Sequence, residues 1–367
     1  MQDNIEQLNF RLLNISDGIE IPLIKEKSRG QYVSFGENNL YYEYLIDLYN
    51  RKSITHKAII KRKIDMISGN GIERPINESQ QFKEFIENSN DEDTLDVIVK
   101  KIAADYEILG SFAIGVIWNN KGDKITQLYH IPLQSLRYDK YYYKSEEEKY
   151  FWMSDDWAQR KYELTKIQEF SEIYKENKTQ VLYVKEYTIG TRWYSIPFYD
   201  SFIKVILSEY EIAAWRYNQI SNGFSAGYLI SFNDGVKTPE LMDRAVKSFE
   251  DNYTGVNAKQ VIVAFANGKE NAPTLQKIEL NNADTRYTVM DASIRQTIFS
   301  AHAVMNPLLY GVFMPGLLGG RTELVESMEL YQSSYIDFRQ KDIENALNRL
   351  AKVNGITEPI RLNKYLL

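Results

Sequence analysis

Residues Asn306 to Arg321 read NPLLYGVFMPGLLGGR, a run with neither the polarity of a surface loop nor the period of a helix or strand. Counting its two prolines, ten of its sixteen residues are apolar and four are glycines. Something must cover it, and two readings stand. It is a buried Ω-like loop packed on its own domain, or it is a subunit-facing or ligand-facing loop. Both flanks have helical patterns. The residue before a proline is biased out of the helical region, so the helix running into Asn306-Pro307 is expected to stop by Met305. Thr322 is expected to cap the next helix, with Glu323 and Glu326 placing negative charge at the positive end of its dipole.

Downstream, the helix expected from Thr322 to Asn354-Gly355 is roughly 50 Å long. Leu324, Met328, Tyr331, Tyr335 and Phe338 alternate four and three residues apart, as packing along its length requires, and the phase slips by one at Ile343. The twelve residues after Gly355 are expected to form a tail and no further domain. Upstream, a helix over about Asp284 to Met305 sets Tyr287, Ile294, Ile298 and Ala301 along one line. Before it lies a β-α-β-β pattern. Its strands are expected at Phe224–Phe232, Gln260–Ala266 and Leu275–Leu280, and its helix from Thr238-Pro239 to near Tyr253. That module has too few apolar residues for a core of its own, so it is expected to lean on neighbouring copies. Pro197 opens the preceding helix, which ends at Asn222-Gly223 after roughly 37 Å. Phe198, Phe202, Val205, Ile206, Tyr210, Ala213, Tyr217 and Ile220 share its apolar face.

In the first half, Gly18, Pro22 and Gly30 interrupt residues 1–36, which are expected to form an arm or loosely attached segment. Asn38 is expected to cap a helix through Tyr49, and Ser53 a second one carrying Ile60, Ile64 and Ile67 to Gly69. Lys57, Lys61, Arg62 and Lys63 on that second helix read as a solvated face or as a phosphate site. A helix from Thr94 to Leu109 precedes strands at Ser111–Trp118, Lys124–Ile131 and Gln134–Tyr142, which together predict an α+β unit with an antiparallel sheet. Tyr138 to Trp152, YDKYYYKSEEEKYFW, reads either as a hairpin or as an aromatic and basic surface on which bases stack. Residues 153–178 read as helical or irregular, and Gln180–Tyr187 as a strand.

The chain has 367 residues, no cysteine and a formal net charge of -6, with pI about 5.4 and mean hydropathy -0.43. Disulfides, thiolate metal sites and cysteine nucleophiles are therefore excluded. The charge lacks the basic signature of a protein that grips nucleic acid by its phosphates. No apolar run reaches the roughly 20 residues that span a bilayer, and MQDNIEQLNF lacks the order of a signal peptide, so an unexported protein with no membrane partner is expected. Catalytic patterns fail in turn. Gly311 and Gly316 have P-loop spacing, but Leu317 and Leu318 stand where Lys and Ser or Thr are needed. His56, His130 and His302 have no partner at ligand spacing and read as structural. Asp155-Asp156 and Asp91-Glu92-Asp93 read as turns and caps, and no G-x-S-x-G is present. No enzyme activity and no cofactor are expected.

Two segments carry a resemblance: YSIPFYDSFIKVILSEYEIAAWRYNQISNGFSAGYLISF, Tyr194 to Phe232, and IRQTIFSAHAVMNPLLYGVFMPGLLGGRTELVESMELY, Ile294 to Tyr331. Their order of helix, small β-α-β-β module, helix, apolar Gly/Pro loop and long helix resembles the portal proteins of tailed bacteriophages and prophages. The match covers 190–352 well, and the N-terminal half resembles the family's wing domain in its order of elements alone. The resemblance implies an N-terminal arm (1–36), a wing (37–193), a first stem helix (194–223), a clip (224–281), a second stem helix (282–305), a tunnel loop (306–321), a long wing helix (322–355) and a tail (356–367). It implies a ring of about twelve copies at one capsid vertex, around a channel through which double-stranded DNA is packaged and ejected. The implied partners are the terminase large subunit, a head-tail adaptor, and the major capsid and scaffold proteins, in the virion and, during assembly, in the host cytoplasm. Leu308, Leu309, Tyr310, Phe313, Met314, Leu317, Leu318 and Arg321 would face the channel. Lys204, Glu211, Arg216, Arg286 and Arg295 would lie on the stem, and Tyr228, Asp234, Lys237, Glu240 and Arg244 on the clip. A ring would bury the apolar loop between subunits, and an acidic protein would let DNA slide. The C-terminal crown common in the family must here be short or missing. Another ring-forming connector or minor head protein, or a nucleic-acid-processing enzyme, are the alternatives.

Overall fold

In the computed structural model, the described residues are 24–145, 148–158, 163–174, 177–221, 228–232, 261–265, 283–304, 306–311 and 320–365. They divide into two units. The larger comprises Ile21–Ile206 with Arg295–Leu367, and the smaller contains Leu207–Ile294.

The larger unit begins with a hairpin, β1 (Glu26–Arg29) and β2 (Tyr32–Phe35), turned at Gly30. β2 is apolar and buried, with Phe35 fully so. The last part of the expected arm, Tyr32–Phe35, is therefore part of the core, while β1 is largely exposed. Helix α1 (Tyr41–Asp47) starts later than Asn38 allows, because Asn39 takes a positive φ of 64° and turns its side chain inward. Its Oδ1 accepts from Phe35 N at 3.0 Å and Arg137 Nε at 2.6 Å, which fixes the chain before the helix can begin.

Ser53 caps α2 (Ile54–Ser68) as expected, its Oγ accepting from His56 N at 3.0 Å. α2 packs on α4 (Leu95–Leu109), whose apolar residues recur at three and four spacing and which stops where Gly110 adopts the left-handed region. Between them lies α3 (Gln80–Glu87), too short to stand out in the sequence pattern. The basic cluster on α2 divides: Lys61 is exposed, whereas Lys63 is fully buried, so the cluster is not one solvated face.

Strands β3 (Ser111–Trp118), β4 (Ile125–His130), β5 (Leu136–Tyr138), β6 (Tyr150–Met153), β7 (Thr165–Glu169) and β8 (Thr179–Lys185) form one sheet in the order β4-β3-β8-β7-β6-β5. The fold class is α+β, as expected, but the sheet is mixed: β7 pairs in parallel with β8, through Gln168 with Gln180 and Glu169 with Val181. β7 corrects the reading of 153–178 as helical or irregular. Its TKIQE sequence has a single strongly apolar residue, Ile167, and so gives little strand signal. Tyr138 to Trp152 is the expected hairpin, with β5 against β6. Three of its rings belong to the core, Tyr138, Tyr142 and Phe151, while Tyr141 and Tyr143 are exposed; Tyr138 touches Tyr142, Phe151, Tyr183 and Tyr194 at centroid distances of 4.8–5.4 Å.

A 3-10 turn (Phe198–Phe202) leads into α5 (Ile203–Ser221). In the smaller unit, β9 (Tyr228–Phe232) and β10 (Val261–Phe265) pair in parallel, Tyr228 opposite Val261. Parallel neighbours need a crossover of a dozen or more residues, and 28 separate these two. The helix and third strand expected there lie outside the described residues. The face expected on α5 is buried only in part: Ile206 is buried and Val205 and Tyr210 half-buried, but Ala213 and Tyr217 are exposed, and the other buried apolar residues are Ile203, Leu207 and Ile212.

Helix α6 (Ala283–Ala301) ends before Met305, as the proline rule requires. The long helix starts at Arg321, capped by Gly320 and not by Thr322, which lies inside the first turn. It runs as α7 (Arg321–Tyr331), a π-helical turn (Gln332–Ile336) and α8 (Asp337–Val353). The π turn is the expected phase slip, placed earlier than Ile343. It carries the apolar line from Met328 and Tyr331 to Ile336, Ile343, Leu347 and Leu350, and leaves Phe338 65% exposed.

Residues after Gly355 are not a loose tail. Ile356, Ile360 and Leu362 are buried, Asn363 N donates to Gly71 O at 2.8 Å and Glu73 N to Arg361 O at 2.8 Å. At Gly69, with φ 55°, an added Cβ would stand 1.8 Å from Asn363 O. Gly69→Ala is therefore expected to cost about 2–4 kcal/mol, from overpacking and a disallowed backbone. It should lower the urea midpoint at constant slope and expose the last residues to protease; an unchanged midpoint would show that the C-terminal segment does not dock as described.

Candidate functional site

The expected channel loop is anchored at its first described end, Asn306–Gly311. After α6, Ala303 takes φ 52°, the left-handed region, at a cost on the order of 1 kcal/mol for a residue with a Cβ. Asn306, extended at φ -140°, caps a 3-10 turn over Pro307–Tyr310, its Oδ1 accepting from Leu308 N at 3.0 Å. Gly311, at φ 77°, closes that turn. Arg62 of α2 holds it from outside, Nε donating to Leu309 O at 2.9 Å and Nη1 to Tyr365 Oη at 2.7 Å. Arg62 thus commits two of its N–H groups to the fold.

Leu309 and Tyr310 are 3% and 6% exposed, and Tyr310 meets Tyr331 edge to face at 6.1 Å. Both side chains are core in this chain, so they do not face a channel here, and serine at Leu309 would act on folding. Leu308 is half-buried and Arg321 exposed. Phe313, Met314, Leu317 and Leu318 lie outside the described residues. Lys204, Glu211 and Arg295 are exposed on their helices, Arg286 lies in α6, and Arg216 pairs with Asp291 at 3.1 Å. Tyr228 opens β9; Asp234, Lys237, Glu240 and Arg244 lie outside the described residues. The named residues are thus not gathered into one site.

What the structure does gather is a buried charge network that the sequence analysis missed. Glu107 of α4 and Lys63 of α2 are both fully buried, Nζ lying 3.7 Å from Oε2. The Glu107 carboxylate also accepts from Tyr335 Oη at 2.9 Å and pairs with Arg339 Nε at 3.3 Å, and Arg339 reaches Glu186 at 2.9 Å. Two cations face two carboxylates. Lys63 Nζ makes no hydrogen bond and lies between the rings of Phe198 and Tyr335, 4.2 and 4.1 Å from their centroids. Burial pushes the Lys63 ammonium down to about 8 against the upward pull of Glu107, and holds the Tyr335 phenol well above its usual range.

Two turns up the same face of α2, His56 Nδ1 lies 2.9 Å from His302 Nε2, both rings buried. Tyr199 and Phe198 pack edge-on against them, at 4.6 Å from His56 and 5.3 Å from His302. Burial, then Lys63, pushes His56 down to about 3 and His302 well below its ordinary value. His130 is separate, bound to Asp105 at 2.9 Å. The signal for the network was present in the sequence. Lys63 lies on the stripe of Ile60, Ile64 and Ile67, and Glu107 on that of Val99 and Ala103, so each apolar face holds one charge, of opposite sign.

Among the described residues no group of three or more His, Asp or Glu could hold a metal ion, and no helix is long and apolar enough to cross a membrane. The network is structural chemistry: removing one partner leaves a buried charge unpaired. Glu107→Gln is expected to cost about 3–5 kcal/mol, while Arg349→Ala, which opens the exposed pair with Glu172, should stay within about 0.5 kcal/mol. Urea unfolding measures both. A loss below about 1 kcal/mol for Glu107→Gln would show that Lys63 is neutral and that packing alone holds the cluster.

No family model and no curated protein matches this sequence. Solved structures do. A chain in the neck of an empty gene transfer agent particle is similar with a TM-score of 0.58 and 10% identity, over 88% of this chain and 84% of that one. A chain of the native gene transfer agent virion gives 0.56 and 10%, over 88% and 83%. An HK97 family phage portal protein from Corynebacterium diphtheriae gives 0.48 and 11%, over 83% and 92%. Over most of its length this chain therefore has the fold of a subunit from the neck of a gene transfer agent particle.

Proposed function

We propose that the protein is a portal-type head-tail connector: a structural, non-enzymatic subunit of a ring at one capsid vertex, through which double-stranded DNA enters and leaves. The observation that carries this reading is the shared fold with a virion-neck chain over 88% of the residues. It agrees with the family resemblance of two sequence segments that flank the small β unit. In this reading residues 37–193 and 322–355 form the wing, α5 and α6 the stem, and 224–281 the clip that meets the terminase large subunit and later a head-tail adaptor. Capsid and scaffold proteins surround the ring. Leu308, Phe313, Met314, Leu317, Leu318 and Arg321 are the channel residues, with Leu309 and Tyr310 as their buried footing.

Purified protein is expected to form a closed ring on the order of half a megadalton, from about twelve chains of 42.9 kDa, by native mass spectrometry and negative-stain imaging. A monomer at every concentration, with or without capsid and scaffold proteins, would sink the proposal. Serine at Leu308, Phe313 and Met314 together should impair DNA packaging or retention several-fold while leaving the unfolding free energy in urea within about 1 kcal/mol of wild type. Unchanged packaging would remove the channel assignment.

A further inference from the structure

We propose that His56 and His302 form a proton-sensitive latch, which holds the turn Asn306–Gly311 against α2 and releases it as the pH falls. The latch belongs to the single chain and does not depend on ring formation.

The bond between the two rings requires one nitrogen to donate and the other to accept, and it is satisfied with both rings neutral. The far nitrogens, His56 Nε2 and His302 Nδ1, are buried without a hydrogen-bond partner. A first proton therefore creates a cation whose new N–H has no acceptor. A second sets two N–H groups face to face and breaks the bond. The groups packed around the pair offer no relief. On α2 itself, Lys63 repels any added positive charge. Glu107 of α4 is already engaged by Lys63, Arg339 and Tyr335, and Glu186 by Arg339. In the 3-10 turn, Tyr199 presents its ring to the pair while its hydroxyl donates to Ile108 O, and Asp200 accepts from Tyr41. The way to accommodate the charge is for His302 to leave.

The backbone is built for that departure. His302 directly follows the end of α6, and the next residue, Ala303, has its strained positive φ, so relaxation there swings the chain away from α2. Beyond it, the named polar tie from α2 to the turn is Arg62 Nε on Leu309 O.

The sign follows from linkage. Both rings titrate below their ordinary value of 6.5 when the latch is closed, so the open form binds protons that the closed form refuses. The latch is fully held above about pH 6.5 and weakens as the pH falls. Amide hydrogen exchange, corrected for intrinsic rates, reads this directly. Between about pH 6.5 and pH 5, opening at His302–Val304 and Leu308–Gly311 should rise about 16-fold if one proton enters and about 270-fold if two do. Amides of α4 and β3 should keep their protection. His56→Phe with His302→Phe should flatten the dependence to within about 3-fold. An equal rise in the double variant, or a rise shared by α4 and β3, overturns the proposal. If the double variant does not fold, His302→Asn together with the wild-type contrast between turn and α4 decides the same question.

Discussion

The larger unit depends on one buried carboxylate. Glu107 of α4 stands where α2 and the long helix meet its own helix, and those two contribute its partners: Lys63 from α2, Arg339 and Tyr335 from the long helix. Apolar packing alone would let three helices slide or rotate at small cost, since most shapes of Ile and Leu interdigitate somehow. A charge-assisted hydrogen bond in a low-dielectric interior has one good geometry and many poor ones. The carboxylate therefore fixes the register of three helices at once.

How much of this could be read from residues alone differs from element to element. α2 and α4 were legible because cap, stripe and terminating glycine agree: Ser53 to Gly69 in one, Leu95 to Gly110 in the other. Asn38 misled because its neighbour Asn39 fits the left-handed region and takes a tertiary bond to Arg137, a long-range demand that overrides a local capping preference. Thr322 misled by a related route, since Gly320 suits the extended cap position equally well. β7 was illegible because a central strand between two others takes its stability from backbone pairing, which leaves no mark on side-chain pattern. The resemblance of 190–352 to portal proteins gave the order of long elements, and the likeness in fold to a neck chain covers 88% of the residues.

The candidate loop shows where pattern reasoning reaches its end. Its apolar composition demanded a cover, and two were open. The described residues answer for half of it: Leu309 and Tyr310 are covered by their own chain. The paired histidines were invisible for a different reason. They stand 246 residues apart, and no spacing rule links a residue at the start of one helix with one just past the end of another. Only the charge on each apolar stripe, Lys63 and Glu107, announced that this part of the core would be polar.

The π turn at Gln332–Ile336 makes the long helix a rod with two apolar frames, offset by one residue. One frame serves the loop's neighbour Tyr331; the other serves the core through Ile343, Leu347 and Leu350. Adding or removing a residue elsewhere between Met328 and Leu350 would rotate one frame about 100° against the other. Removing one within Gln332–Ile336 would turn the π turn into α-helix and keep the two frames aligned. Outside that turn the length of this helix is thus counted to the residue, and insertions or deletions in related chains should fall at the π turn or in the connections.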